Sequence, residues 1–346
     1  MKKMGKKLCF IMVIFLLAAG PAFSDTITDL VNGVDTFSKE LAKALPFNST
    51  VGLNWSDAYI GQLLGLPPHF GVGIVAGATT LPIKALESIT GLVGMDDLPL
   101  DIMGSIGFPL PALAAEARIG GIGIPFDIGI KYGVVPKSLL GKFVAVDNLP
   151  VEFDYQLVGA DFRYALFSPK AFPIRVSVGV GFNYLRGGIS ANIGSPLSFT
   201  FTHSSENYTL DVSQPKVALL WETKTIELKA QVSFPLVIIT PYAGVGASYG
   251  WSKAGYDISS TVKIKKGSTD QTGPAFDSAV NILGQYFNLP GVKSTGFGSM
   301  MEVTGFTMRA FGGISVNLFV IKIDLTAMYN IMDGSLGATV GVRFQL

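Results

Sequence analysis

The chain has 346 residues, of which 49% are apolar and only 15% charged, and its formal net charge is +1. A mean hydropathy of +0.45 excludes a disordered chain, which needs low hydrophobicity and high net charge. The balanced charge excludes a nucleic-acid binder, because neutralising phosphates takes a clustered excess of Lys and Arg.

The N-terminal residues carry Lys2, Lys3, Lys6 and Lys7 with no acid among them, followed by an apolar block from Leu8 to Ala19. Small residues at Ala22 and Ser24 complete the pattern of a secretory signal peptide over 1–24, cleaved before Asp25. About a dozen apolar residues are too few to span a bilayer, so cleavage is expected rather than anchoring. Cys9, the single cysteine, lies in this block and would leave with it. The mature chain is then expected to hold no disulfide, no thiol nucleophile, no Cys-bound metal and no cofactor.

Residues 25–66 form a separate N-terminal segment. Ile27, Leu30, Val31, Val34, Phe37, Leu41 and Leu45 fall on one stripe at helical spacing, which predicts a helix over 27–45. Thr28 and Asp29 supply a cap region and Pro46 a stop.

From residue 67 onward the apolar residues change period from helical to two. Ile226, Leu228, Ala230, Val232 and Phe234 alternate with Thr225, Glu227, Lys229, Gln231 and Ser233. Ile174 to Tyr184, Ile124 to Val134 and Ile321 to Tyr329 follow the same rule. Successive side chains of a strand point to opposite faces, so each run is a strand with one apolar and one polar side. No later stretch approaches eighteen uninterrupted apolar residues, so no spanning helix is expected. Two architectures fit: a soluble sandwich with the apolar faces inside, or a membrane barrel with them outside against lipid. Runs of ten residues or more suit a tilted spanning strand. Tyr132, Tyr184, Trp251, Phe319, Tyr329 and Phe344 near run ends suit interfacial girdles.

Short and long connections alternate when strands are counted back from the end. Strands are expected at 335–346, 320–331, 302–316, 237–252, 216–234, 173–187, 151–167, 123–134, 111–119 and 68–77. The long external loops are 78–110, 135–150, 188–215 and 262–300, the third holding an extended hairpin with Asn207 near its bend. That tally is an all-β transmembrane antiparallel barrel of ten strands over 67–346, or twelve to fourteen if 50–60 or 255–264 enters the wall. Helical apolar patterns recur in two loops: Leu86, Ile89 and Val93 behind Pro82, and Phe276, Leu283 and Phe287 before Pro290. Such faces either pack loop on loop to cap the mouth or form a vestibule that gathers hydrophobic solutes.

In the last segment Leu336, Ala338, Val340, Val342, Phe344 and Leu346 alternate with Gly337, Thr339, Gly341, Arg343 and Gln345. This resembles bacterial outer-membrane β-barrel proteins, whose final strand ends in an alternating segment with a near-terminal aromatic. The resemblance implies an outer-membrane location, a lipid bilayer as surroundings, and reading of 336–346 by the barrel-assembly machinery. Parity puts Asp127, Lys131, Glu152, Asp154, Arg163, Arg175, Glu227, Lys229, Lys322, Asp324 and Arg343 on inward faces. They are either a salt-bridge ladder filling the lumen or a lining that selects a solute.

The barrel leaves two places for the N-terminal segment. Either the helix packs on the periplasmic rim, or it enters the lumen with 46–66 as a plug whose Trp55, Asp57 and Tyr59 face the polar interior. An N-terminal plug is similar to the hatch of FadL-type long-chain fatty-acid transporters. That likeness implies porin-like passive or gated passage of a small hydrophobic solute, and the alternative is a closed surface-exposed structural or adhesive protein. An enzyme is not expected: no HExxH, phosphate loop or GxSxG occurs, and His69 and His203 lie too far apart to serve one site.

Overall fold

The computed structural model describes residues 24–64, 68–81, 108–135, 151–168, 173–192, 196–203, 206–214, 216–259, 262–266, 269–271 and 296–346. In chain order these form helix α1 (Ser24–Asn48) and strands β1 (Phe70–Leu81), β2 (Phe108–Gly120), β3 (Phe126–Val134), β4 (Val151–Phe167), β5 (Arg175–Asn192), β6 (Leu197–His203) and β7 (Glu206–Val212). β8 (Lys216–Ser233), β9 (Ile239–Ser259), β10 (Val262–Lys266), β11 (Thr269–Gln271), β12 (Gly296–Leu318), β13 (Ile321–Asn330) and β14 (Leu336–Gln345) follow. The signal-peptide residues 1–23 and the loop positions Leu86, Ile89, Val93, Phe276, Leu283 and Phe287 lie outside the described residues.

Ten strands close into an antiparallel barrel in the order β1-β14-β13-β12-β9-β8-β5-β4-β3-β2. Closure comes from β1 against β14, where Gly71 to Thr79 face Gln345 to Gly337 in unbroken register. The other four strands make a separate sheet, β11-β10-β7-β6, from hairpins that rise out of the β5–β8 and β9–β12 connections. Residues 255–259 are thus the end of β9 and 262–264 part of β10, while 50–60 pair with no strand, and the wall has ten strands.

The apolar face points out. Ile74, Ile130, Phe182, Leu228, Leu325 and Val340 are each more than two-fifths exposed, whereas the alternate residues are charged or small and buried. A water-soluble sandwich would reverse this, so the arrangement is the transmembrane one. Tyr329 faces Leu336 and, eight residues earlier on β13, Ile321 faces Phe344. Eight steps of about 3.4 Å make about 27 Å along the strand, enough for the apolar band at the usual tilt. Among described residues the β-turns 121–125, 234–238 and 319–320 close one end, which the short-periplasmic-turn rule makes the periplasmic end.

The wall is of unequal height. β13 and β14 have 10 residues each, near the minimum to cross, but β9 has 21 and β12 has 23. Their outer thirds therefore stand clear of the membrane, which explains why sequence alternation ended them early. There the outward face turns polar: Arg186, Glu222, Lys253 and Glu302 lie opposite one another across β5, β8, β9 and β12. Below them Lys224 sits 5.9 Å over the Tyr184 ring and Trp251 meets Tyr249 edge-on, an interfacial girdle.

Two expectations need correcting. Glu152 and Asp154 do not face the lumen. β4 pairs with β5 residue for residue from Val151 to Ala165, so no bulge changes parity between them and inward Arg163, and even positions point out. Phe153 and Tyr155 are inside instead, and Glu152 bonds Lys216 at 2.8 Å on the exterior above the membrane. Nor does Pro46 end the helix: it lies in the last turn, and α1 runs on to Asn48, where Ser49 donates back to the Pro46 carbonyl at 2.7 Å.

Candidate functional site

α1 enters the barrel from the outer side, packed mainly on β9 and β12, and its C-terminal half is enclosed. Phe37, Leu41, Leu45 and Phe47 are buried, together with inward wall residues Leu110, Phe153, Leu157, Leu185 and Trp221. This upper tier is an ordinary apolar core inside a barrel. Phe37, Leu41 and Leu45 belong to the stripe visible in the sequence, but they face the lumen, and the rim placement is overturned.

Below Asn48 the chain descends extended through a lower tier of charge. An extended strand without a neighbour leaves its backbone groups unpaired, and buried ones must find partners. Here the wall side chains provide them. Lys131 Nζ donates to the Ser49 and Val51 carbonyls at 2.8 and 2.6 Å, and Lys229 to that of Leu53 at 3.1 Å. Gln231 donates to the Trp55 carbonyl at 2.7 Å, Arg163 to that of Asp57 at 2.7 Å, and Arg175 to that of Tyr59 at 2.9 Å. Every second carbonyl from 49 to 59 is thus held by one side of the barrel. The amides are met in turn: Leu53 N–H donates to Glu116, Ala58 to Ser233 at 3.0 Å, and Ile60 to Asp127 at 3.1 Å. Gly52, at φ +86°, makes the bend that starts this run.

The side chains lock it further. The Trp55 ring lies between two guanidiniums, Arg343 at 4.7 Å and Arg118 at 5.5 Å, while its indole N–H donates to Glu116 at 2.8 Å. Asp57 accepts from Lys322 at 2.6 Å and Arg343 at 3.0 Å, with Arg175 at 3.5 Å. Burial would raise the Asp57 carboxyl, but the charges of Lys322 and Arg343 outweigh it and hold its pKa well below the usual carboxylate range. Tyr59 is buried at the periplasmic end of the run.

The wall is cross-linked beneath the plug. Arg163 takes Asp127 in a two-pronged grip at 2.8 and 2.9 Å. Arg118 bridges Asp127 at 2.5 Å and both Asp161 oxygens at 2.7 and 2.8 Å, and Lys229 reaches Asp161 across the intervening β5 at 2.5 Å. Arg309 donates to Glu227 at 2.7 Å and to plug residue Asn54 at 2.9 Å, and Arg343 also pairs with Asp324. Hence Asp127, Lys131, Arg163, Arg175, Glu227, Lys229, Lys322, Asp324 and Arg343 all meet in this tier, with Trp55 and Asp57 among them.

Sequence reading missed Glu116, Arg118, Asp161 and Arg309. Asp161 and Arg309 carried a usable signal, since each shares parity with an inward position on its own strand. Around Glu116 and Arg118 the alternating residues are alanines on both faces, which hides the parity. His69 sits at the periplasmic rim, its Nδ1 3.2 Å from the Leu346 carbonyl oxygen, whereas His203 closes β6 on the outer sheet.

Trp55, Ser56, Asp57 and Ala58 are each no more than 2% exposed. A gap of about 10 Å³ beside Gly52, Trp55 and Glu116 has room for about one water. The groups in this tier are arranged to hold a peptide, with their charges spent on one another and on its backbone.

The chain belongs to the Lsa36-like family, whose model matches residues 106–346. No curated protein matches it. Solved structures it resembles include the attachment invasion locus protein Ail of Yersinia pestis, at 10% identity and TM-score 0.25 over 80% of this chain and 98% of that one. The outer membrane protease OmpT of Escherichia coli shows 8% identity and TM-score 0.37, covering 81% and 97%. The transport unit of the Escherichia coli autotransporter AIDA-I shows 10% and 0.31, covering 90% and 99%.

Proposed function

We propose that this Lsa36-like chain is an outer-membrane barrel that stays closed and acts at the cell surface, as a structural or adhesive protein, rather than as an open passage. The observation that carries this reading is the ladder of wall donors on the carbonyls of residues 49–59. A lumen serving passive diffusion would have free polar side chains facing water. Here Lys131 has its hydrogen bonds, among described residues, on plug carbonyls, and Lys322 has its ion pair on plug residue Asp57, so these wall groups are satisfied by the plug rather than by one another. The parts free to act are then external: the tall wall of β8, β9 and β12 and the sheet β11-β10-β7-β6 above it.

Passage of a hydrophobic solute down the axis fits the chemistry poorly, since the lower tier would confront it with Arg118, Asp127, Arg163 and Asp161. Gated passage of a polar solute is the second reading. What favours it is that residues 49–60 touch the wall through hydrogen bonds and ion pairs, which water replaces when a plug moves. Proteoliposomes of the full chain test both: the closed reading predicts that glucose-sized and small apolar aromatic solutes alike enter no faster than they enter protein-free liposomes. Uptake of either class above the protein-free rate by the unaltered chain would overturn it.

A further inference from the structure

We infer that the N-terminal end of α1 stands on the outside of the cell, so that the start of the exported chain is displayed there. The lower end of the barrel has the short turns, and β1 begins there at Phe70. Residues 57–63 are at that end: Arg175 at the start of β5 reaches Tyr59, and Leu63 N–H donates to the Gly121 carbonyl in the β2–β3 turn at 2.9 Å. Asn48 is far higher, bonded at 2.5 Å to Thr79, nine residues up β1. Ser49 meets Thr225, eight residues above the lower end of β8, at 3.1 Å. The chain therefore runs downward from 48 to 63, and the helix that precedes it runs down into position 48 from above.

The length of α1 then decides where its start lies. Gly250 is shaped to admit Pro46, whose ring fills the place a Cβ would take. From Gly250 to the end of β9 at Ser259 the wall rises about 31 Å along the strand, or about 24 Å in height at a tilt near 40°. From Pro46 back to Ser24 the helix rises about 33 Å at 1.5 Å per residue. Asp35 is within electrostatic reach of Tyr256, close to the top of β9, with eleven helical residues still ahead of it. The helix thus overtops the tallest part of the described wall. Its polar positions agree, because Thr36, Lys39 and Lys43 are exposed while Phe37, Leu41 and Leu45 are buried. This placement does not depend on whether the plug ever moves, so it stands or falls apart from the closed reading.

Single cysteines in a full-length Cys9→Ser chain test it. In intact cells a membrane-impermeant maleimide should label Lys39→Cys, while Leu64→Cys, 74% exposed at the lower mouth for the native leucine, should label only once the outer membrane is permeabilised. A short epitope inserted between Asp25 and Thr26 should bind antibody on intact cells. The inference is overturned if Leu64→Cys labels first, or if the epitope is reached only after permeabilisation. Heat-modifiable migration of each variant confirms that the barrel has closed before labelling is read.

Discussion

Arg163 ties two layers together, gripping Asp127 of the neighbouring strand while donating to the Asp57 carbonyl of the plug. Both side chains are at most 1% exposed. Removing one partner of such a pair leaves the other charge buried and costs more than the pair contributes, typically about 3–5 kcal/mol. Arg163→Ala should therefore lower the unfolding midpoint in detergent by a loss of that order, read from urea titration of the heat-modifiable band. Asp57 gives a pH dependence whose sign follows from its depressed pKa. Its contribution is complete above the unfolded value of about 3.8 and is lost as pH falls below that toward the folded one. Limited proteolysis of residues 46–64 should accordingly be flat from neutrality to about pH 4 and rise only in stronger acid. An Asp57→Asn chain should lack that step.

At the level of elements, the ten strands were legible because a lipid-facing wall imposes strict alternation wherever it crosses the membrane. Above the membrane that constraint lapses. Sequence reading therefore stopped β9 at 252 and began β12 at 302, although β9 runs to Ser259 and β12 starts at Gly296. The same lapse misled the parity of β4: Glu152 and Asp154 are outward charges in a stretch where water, not lipid, is the neighbour. The helix was legible as an amphipathic stripe, but a stripe does not say what covers it. The buried neighbours of Leu45 come from wall strands remote in sequence, and no local signal encodes them. The extended run 49–60 was least legible, since it has neither period and is specified by the wall it lies against. Because α1 packs as a core helix, Leu45→Ala should cost about 2–5 kcal/mol by the same urea titration. A helix resting on a solvent-facing rim would lose far less.

Across the whole molecule, the interior divides into an apolar tier around α1 and a charged tier around residues 49–60, while the exterior divides into a lipid band and a polar collar above it. The two divisions serve one end, which is to hold a chain segment through the full height of a narrow barrel. A ten-stranded barrel has little width to spare, and α1 followed by the extended run uses it. Single-channel recording in planar bilayers tests this most directly, comparing the full chain with a Trp55→Ala, Asp57→Ala variant that loses the guanidinium clamp and the triple ion pair. The full chain should remain without ohmic steps while the variant opens repeatedly. Steady conductance of the unaltered chain, equal to that of the variant, would mean that residues 49–60 do not fill the lumen.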